Sequence, residues 1–387
     1  MRERLRLSDL NVLFICLDSG HGTTGHRVLA DVVTFRNLGG NPLLVCLKDS
    51  VLDREAERQD IRRHHLESDS LWSVSLVLWR LIKDLVNNQQ LDLVHCYSYT
   101  PLMVLGLALK RHIRIPLIYT CNEDVSECYQ PYWHDFFIRR IDQVLCFSPA
   151  LAERVMDVLP LGQRKVGFMG AGLETPTVKN HTPDGERWKI IAYVKPDELR
   201  INRYVPLFMS IPLLEVDGKK VVLTLATRGS WYEHPHYELF KRTVLERGLE
   251  HHISFHPQSW GANTLSTQNL FVALAGDAPF EDHELEALFH QVPVLLPRTS
   301  ARTHLLEGGK LGLTYLPGDV RELKVKAREL LLRQDEFRHN IREALPDLME
   351  KHHFERYVGE LFQLYERLSL QRLRFALKRR RIFASKA

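Results

Sequence analysis

The sequence predicts an α/β protein built from two Rossmann-like βα domains facing a cleft. Three observations carry that expectation. Short, continuously apolar runs alternate with helical patterns along nearly the whole chain. A polar stretch with Pro and Gly, KNHTPDGER at 179–187, breaks the alternation near the middle, after which it restarts. The length, 387 residues, suits two domains at roughly 150 residues each. Continuous apolar strands, rather than alternating ones, belong to parallel sheets covered by helices on both faces. A composition of 44% hydrophobic and 26% charged residues excludes a disordered or collagen-like chain.

In the first half the strand-like runs are NVLFICL (11–17), PLLVCL (42–47), LDLVHCY (91–97), PLIYTC (116–121) and QVLCFS (143–148). Between them, 71–86, 102–110 and 149–158 carry apolar residues at helical spacing. After the break, runs at 189–194, 221–227, 252–257, 269–276, 293–297 and 311–316 alternate with helix-like segments at 237–247, 282–290 and 320–332. The expected organisation is a first domain over 1–178, a linker at 179–187, a second domain over 188–352, a helix at 353–369 and a basic tail at 370–387. In open α/β sheets ligands bind beyond the carboxyl ends of the strands.

The arginine-rich start followed by an apolar run imitates a signal peptide. The run at 11–17 is too short and lacks a cleavage site, so it is expected to be a first buried strand. No apolar stretch approaches the ~18 residues of a membrane span. Six cysteines, all in the first half and with no C-x-x-C pair, are expected to be small buried hydrophobes in a reducing cytosol.

After the first strand, Gly20, Gly22 and Gly25 match G-x-G-x-x-G and open a helix, and Asp49 follows the second strand. Glycines there let the backbone approach a ligand, and the helix N-terminus favours anions. One alternative is therefore an NAD(P)-dependent enzyme with Asp49 on the ribose. Another is a strand-to-helix turn whose glycines serve packing alone.

The most specific segment is Ala278-Pro-Phe-Glu281-Asp-His-Glu284-Leu-Glu286-Ala, followed by Gln291-Val-Pro-Val. It resembles the donor-site signature of retaining GT-B glycosyltransferases, especially glycosyltransferase family 4, which carry Glu-Pro-Phe-Gly, then Leu-Glu-Ala, then Gly-x-Pro-Val. Other segments resemble that family in order: Asp92-Leu-Val-His95, Thr120-Cys-Asn122, the strand that ends in Ser148, the stretch from Lys165 through Glu174, and a final helix at 353–365 that in such folds crosses back to the first domain. The resemblance covers nearly the whole chain. It departs where the family's first glutamate falls on Ala278, its glycine on Glu281, its active-site histidine on Asn122, and a glycine on Gln291.

The resemblance implies sugar transfer from a nucleotide-sugar donor to a glycan or lipid-linked acceptor, with retention, in cell-surface polysaccharide or glycolipid synthesis. The first domain would face the acceptor and the second would hold the donor. Neutralising a leaving diphosphate calls for cations, and Lys195, Arg200 and Arg203 stand where the family supplies them. Glu286 would accept hydrogen bonds from the nucleotide ribose, and Asp277 and Glu281 would reach sugar hydroxyls. Gly20, His21, Gly22 and Thr23 would border the phosphates and the acceptor. Asn122 can hydrogen-bond a sugar but cannot carry a proton as His does, which leaves His95 and His21 as substitutes. The resemblance implies no cofactor beyond the nucleotide sugar, and no metal. The histidine pairs at 251–252, 234 and 236, and 352–353 lack metal-ligand spacing and are expected on surfaces or loops. Ala278 and Asn122 also admit a non-enzymatic protein that binds a sugar nucleotide or a partner.

The formal charge is +4, but the last eighteen residues hold seven Lys or Arg and no acid. Subtracting those seven leaves −3 on residues 1–369. A basic segment with interspersed apolar residues suits an anionic membrane surface. The expected location is cytoplasmic, peripheral to the inner face of the membrane, with no nucleic acid as partner.

Overall fold

The fold comes from a computed structural model that describes residues 10–17, 23–67, 71–88, 90–121, 125, 129–131, 134–173, 186–194, 201–211, 214–227, 236–256, 260, 262–274, 282–300 and 302–384. For 23, 71–74, 262–263 and 373–384 only the backbone is described. The chain divides into two compact units, Met1–Gly170 with Glu355–Ala387, and Ala171–Phe354. The first boundary thus falls before the expected 178, and of the expected linker only Glu186, in a turn, and Arg187, the first strand residue of the second unit, are described.

Unit 1 is one parallel sheet of seven strands in the order β3-β2-β1-β4-β5-β6-β7. These are β1 Asn11–Ile15, β2 Asn41–Leu47, β3 Arg63–Leu66, β4 Leu93–Cys96, β5 Leu117–Thr120, β6 Gln143–Cys146 and β7 Val166–Phe168. The order reverses between β1 and β4, the switch point of a doubly wound sheet. Its helices are α1 Thr23–Asn37, α2 Val51–Arg58, α3 Leu71–Asn87, α4 Leu102–Ala108, α5 Asp135–Ile138 and α6 Pro149–Val158. Local chemistry starts them where the pattern breaks. Ser50 caps α2 by accepting from Asp53 N, and Ser148 caps α6 by accepting from Leu151 N, with Pro149 at the first helical position. Asp92, the first residue of the family-like Asp-Leu-Val-His run, holds β4 beside β1 by accepting from Asn11 N and Nδ2, both at 2.9 Å.

Four elements of this unit escaped the apolar pattern. β3 reads RHHL, too polar to register as a buried run, β7 reads VGF, too short to register, α2 is largely charged, and α5 spans only four residues. Five described cysteines, Cys16, Cys46, Cys96, Cys121 and Cys146, are buried thiols. Cys128 lies outside the described residues.

Unit 2 carries β8 Arg187–Tyr193, β10 Lys219–Ala226, β11 Ile253–Phe255, β12 Leu270–Val272, β13 Val294–Pro297 and β14 Gly312–Tyr315, in the order β11-β10-β8-β12-β13-β14, with β9 Glu215–Val216 antiparallel to β10. Its helices are α7 Val205–Ser210, α8 Tyr237–Glu246, α9 Ala262–Leu265, α10 His283–Phe289, α11 Val320–Leu332 and α12 Gln334–His352. Successive residues of β8 point to opposite faces, and both faces are covered. Ile190 and Ala192 enter one core with Phe208 and Phe240, while Ile191 enters another with Leu285 and Leu288. Both cores explain why the run reads as continuously apolar. The chain enters this unit beside the point where it leaves: Leu173 N donates to His352 O at 2.8 Å, and Phe354 N donates to Leu173 O at 2.9 Å.

The last helix, α13 Phe354–Ala384, is one continuous element. It absorbs both the expected helix and nearly all of the expected tail. It belongs to unit 1, where Phe362 and Tyr365 pack with Phe14 and Phe35 at ring separations of 5.5 to 6.4 Å. Aromatic pairs in such tilted arrangements contribute beyond their buried area.

Candidate functional site

The carboxyl end of the second sheet gathers the most chemistry. Tyr193 closes β8, and Trp260 is held at the end of β10 by its backbone N–H donating to Thr227 O at 2.8 Å. His283 and Glu286 lie on α10, one turn apart. The rings of Tyr193 and His283 have centroids 3.7 Å apart, Trp260 and His283 4.8 Å, and Tyr193 and Trp260 5.5 Å. Glu286 is fastened to this cluster. Its Oε2 accepts from Trp260 Nε1 and lies 3.5 Å from His283 Nδ1. Its side chain is 24% exposed while that of His283 is 2% exposed, so the aromatic cluster orients a carboxylate that still reaches solvent. The first turn of α10 also carries Glu284, and a helix N-terminus favours these acids.

Below this cluster lies a buried ion pair. Arg302 Nη2 is 2.8 Å from Asp282 Oδ1, with side chains 2% and 8% exposed. Asp282 stands at the cap position of α10 but offers no side-chain cap there, because its carboxylate is turned to Arg302. His352 adjoins the pair. Burial first, then the neighbouring Arg302 charge, lowers its pKa to about 4. The neutral ring accepts from Ala171 N through Nδ1 at 3.1 Å. The surface or loop position expected of His352 is therefore corrected: it ends α12 and is 3% exposed.

Arg203, expected at the donor diphosphate, lies in a 3-10 turn, Ile201–Tyr204, and is half-buried. Tyr204 OH donates to Tyr193 O at 3.4 Å, which sets this turn at the same carboxyl edge as Glu286. Lys195, Arg200, Asp277, Ala278 and Glu281 lie outside the described residues. Gln291, which stands where the family has glycine, follows α10 with φ of 59°. The left-handed backbone at that helix end is the reason glycine suits the position.

In unit 1 the structure gives His95 a different part from the one expected. It is completely buried. Nδ1 meets Tyr365 OH at 2.5 Å and Nε2 meets Thr120 Oγ1 at 2.7 Å, so both ring nitrogens are engaged. Burial lowers its pKa to about 3. A neutral ring that accepts from Tyr365 and donates to Thr120 satisfies all three groups. His95 thus joins α13 to β4 and β5, with none of its surface exposed among the described residues. Alongside it, Tyr97 OH and Tyr357 OH both donate to the buried Asp31 carboxylate, at 2.6 and 2.8 Å.

Gly20, His21, Gly22 and Asn122 lie outside the described residues, and Thr23 is the first residue of α1. Gly25 is the third residue of that helix. A Cβ there would meet nothing closer than Leu52 Cβ at 3.9 Å, so the close helix–strand approach of a dinucleotide fingerprint is not what Gly25 supplies. Asp49, the acid of that alternative, is exposed in a left-handed turn with φ of 58°, and its N–H donates to Asp53 Oδ2 at 3.0 Å.

Sequence reasoning missed Trp260, Tyr193, His283 and Arg302. Trp260 sits in a loop with no periodic signal, and Arg302 is twenty residues from the acid it pairs with. The one usable signal was the Asp282-His283-Glu284 run beside the Leu-Glu-Ala register.

Comparison with known proteins agrees with this architecture. Residues 31–173 match the family model of Glycosyltransferase Family 4. No curated protein sequence matches the chain. Among solved structures, a glycosyltransferase from Rickettsia africae superposes with a TM-score of 0.74 at 13% identity, covering 93% of this chain and 98% of that one. Sucrose-phosphate synthase from Thermosynechococcus elongatus gives 0.73 at 16% identity, covering 93% and 99%. HepE from Anabaena, solved in complex with UDP and glucose, gives 0.72 at 13% identity, covering 92% and 99%. The fold is the GT-B fold, and the resemblance to glycosyltransferase family 4 read from the sequence holds.

Proposed function

We propose that this protein is a glycosyltransferase that moves a sugar from a nucleotide-sugar donor, held by unit 2, to a glycan or lipid-linked acceptor with retention at the transferred carbon. The observation that carries the reading is Glu286: a carboxylate in the family's Leu-Glu-Ala register, fixed by Trp260 and His283 at the carboxyl edge of the second sheet, and partly open to solvent. A carboxylate so held is preorganised to accept hydrogen bonds from the paired hydroxyls of a ribose. Arg203 on the same edge suits the diphosphate, where the planar guanidinium can bind two oxygens at once. The chemistry needs no covalent nucleophile. Positioning and neutralisation of the leaving diphosphate supply the rate, and neither a cofactor nor a metal is part of this proposal. HepE was solved with UDP and glucose, so uridine diphosphate sugars are the first donors to try. Cell-surface polysaccharide or glycolipid synthesis in the cytoplasm is the setting this reading favours.

The test is calorimetric titration of UDP-, GDP-, ADP- and CMP-sugars into the wild type, Glu286→Ala and Arg203→Ala. Losing a hydrogen bond to a charged group costs about 1.5–3 kcal/mol, so roughly ten- to hundredfold weaker binding is expected in each variant. Unchanged affinity in both would refute the donor site. Binding without turnover of any donor would favour the non-enzymatic reading that Ala278 and Asn122 raise.

A further inference from the structure

We propose that the amino edge of the first sheet, together with the end of α13, is a docking surface for an anionic phospholipid bilayer. The inference rests on unit 1 alone and is independent of the donor site. β5, β6 and β7 are parallel neighbours, so the segments that precede them, 109–116, 139–142 and 159–165, lie along one edge. Those segments hold seven cations, Lys110, Arg111, Arg114, Arg139, Arg140, Arg164 and Lys165, against one acid, Asp142. Asp142 is already committed to Arg140, at 2.8 Å, and to Arg372 of α13. Lys110, Arg111, Arg114, Arg139 and Arg164 are exposed. The other acids near this edge are Asp92, which accepts from Asn11, Asp84 near the end of α3, Asp157 near the end of α6, Asp135, 3.6 Å from Arg139, and Glu366 of α13, beside Arg367.

α13 delivers more charge to this edge. It starts near the carboxyl side of the sheet, where Tyr357 meets Asp31 and Phe147, and its Arg372 meets Asp142 at the amino side. The helix runs on through Ala384, twelve further residues and so about 18 Å beyond the sheet at the usual rise. That stretch, LRFALKRRRIFA, contains five Lys or Arg and no acid. Burial lowers the pKa of Lys165; the Asp142 carboxylate opposes that, and the Arg372 and Arg140 charges add to it, so that one acid serves three neighbouring cations.

Apolar groups beside the cations select a bilayer over a nucleic acid. Phe136 is 48% exposed, and Lys110 Nζ stands 3.8 Å over its ring. Leu107 and Met103 on α4 are also exposed. α4 packs on α5, where a Cβ on Gly106 would lie 2.9 Å from Phe137 Cα, and Met103 and Leu107 stand one turn apart on α4. The α13 extension interleaves Leu373, Phe375, Leu377, Ile382 and Phe383 with its cations. Among the described residues no helix is long and apolar enough to cross a membrane. Attachment of this kind would lie in the headgroup layer, apolar groups inserted and cations on lipid phosphates.

Co-sedimentation of the full chain with vesicles of phosphatidylcholine plus phosphatidylglycerol, against pure phosphatidylcholine, tests the proposal. Binding is expected only to the anionic vesicles and should weaken with salt. Arg111→Gln, Arg114→Gln and Arg164→Gln together remove three exposed cations from the folded edge. At about fivefold each, they should weaken binding roughly a hundredfold with an unchanged melting temperature. Arg379→Gln, Arg380→Gln and Arg381→Gln should do the same from the helix end. No binding to anionic vesicles, equal binding to neutral ones, or full binding by the edge variant would each overturn the proposal. Tighter binding to a short DNA duplex than to the vesicles would assign the surface to nucleic acid and also overturn it.

Discussion

Tyr357→Phe isolates the clamp that fixes α13 to the first sheet. Asp31 is buried, and its carboxylate accepts from Tyr97 OH and Tyr357 OH. Burial raises its pKa to about 6, against the opposing effects of Arg27 and the two tyrosines. In the unfolded chain an aspartate ionises near ~4. The folded value is the higher one, so the fold binds a proton that the unfolded chain releases between the two values. At pH 8 the buried charge therefore opposes folding, by about 3 kcal/mol for a gap of about two units. That opposition fades as pH falls through 6 toward 4. Removing Tyr357 OH takes one of two donors from an ionised carboxylate at pH 8, a loss of about 1.5–3 kcal/mol. At pH 5 Asp31 is protonated and the lost bond is a neutral one, about 0.5–1.5 kcal/mol. Urea unfolding followed by far-ultraviolet circular dichroism at both pH values should show the destabilisation roughly halved at pH 5. Tyr365→Phe is the control. Its partner His95, with a pKa lowered to about 3, is neutral at both pH values, so its loss should not change. Equal losses for Tyr357→Phe at both pH values would refute a shared, titrating Asp31.

Two further stability outcomes follow from the second unit. Arg302→Met leaves Asp282 buried without its guanidinium and should cost about 3–5 kcal/mol. The double variant Asp282→Asn with Arg302→Met should recover a substantial part, and strictly additive losses in chemical denaturation would dissolve the pair. Gln291→Gly relieves a left-handed backbone at the end of α10, partly offset by glycine's greater freedom when unfolded. A gain of up to about 1 kcal/mol is expected, and a lower melting temperature would contradict it.

Most strands were legible because their residues answer a local question. A strand buried on both faces must be apolar at consecutive positions, and Ile190 and Ile191 satisfy opposite cores. Helices α6 and α11 match the expected 149–158 and 320–332, since capping residues Ser148 and Asp319 sit where the apolar spacing begins. β3 and β7 were not legible, because edge strands need fewer apolar residues. α12 was missed as well. Its pattern is heavily charged, and only Phe337, Ile341, Leu345 and Leu348 mark the buried stripe. The family register located Glu286 and the glycine-like position of Gln291. It could not show that Trp260 would hold Glu286, nor that His95 would be closed off by Tyr365.

The amino-acid sequence by itself determined the repeated βα units, the break between them, the register around Glu286 and the concentration of positive charge in the last eighteen residues. These depend on neighbours a few positions apart, where periodicity and capping act. The tertiary structure alone decided which side chains meet. Asp31 and Tyr357 are 326 residues apart, and His95 and Tyr365 are 270 apart. A buried polar group takes whichever partner the packed helix brings to it, because leaving it unsatisfied is costly. That helix, α13, turned a candidate catalytic histidine into a structural clamp and carried the basic end of the chain to the amino edge of the first sheet.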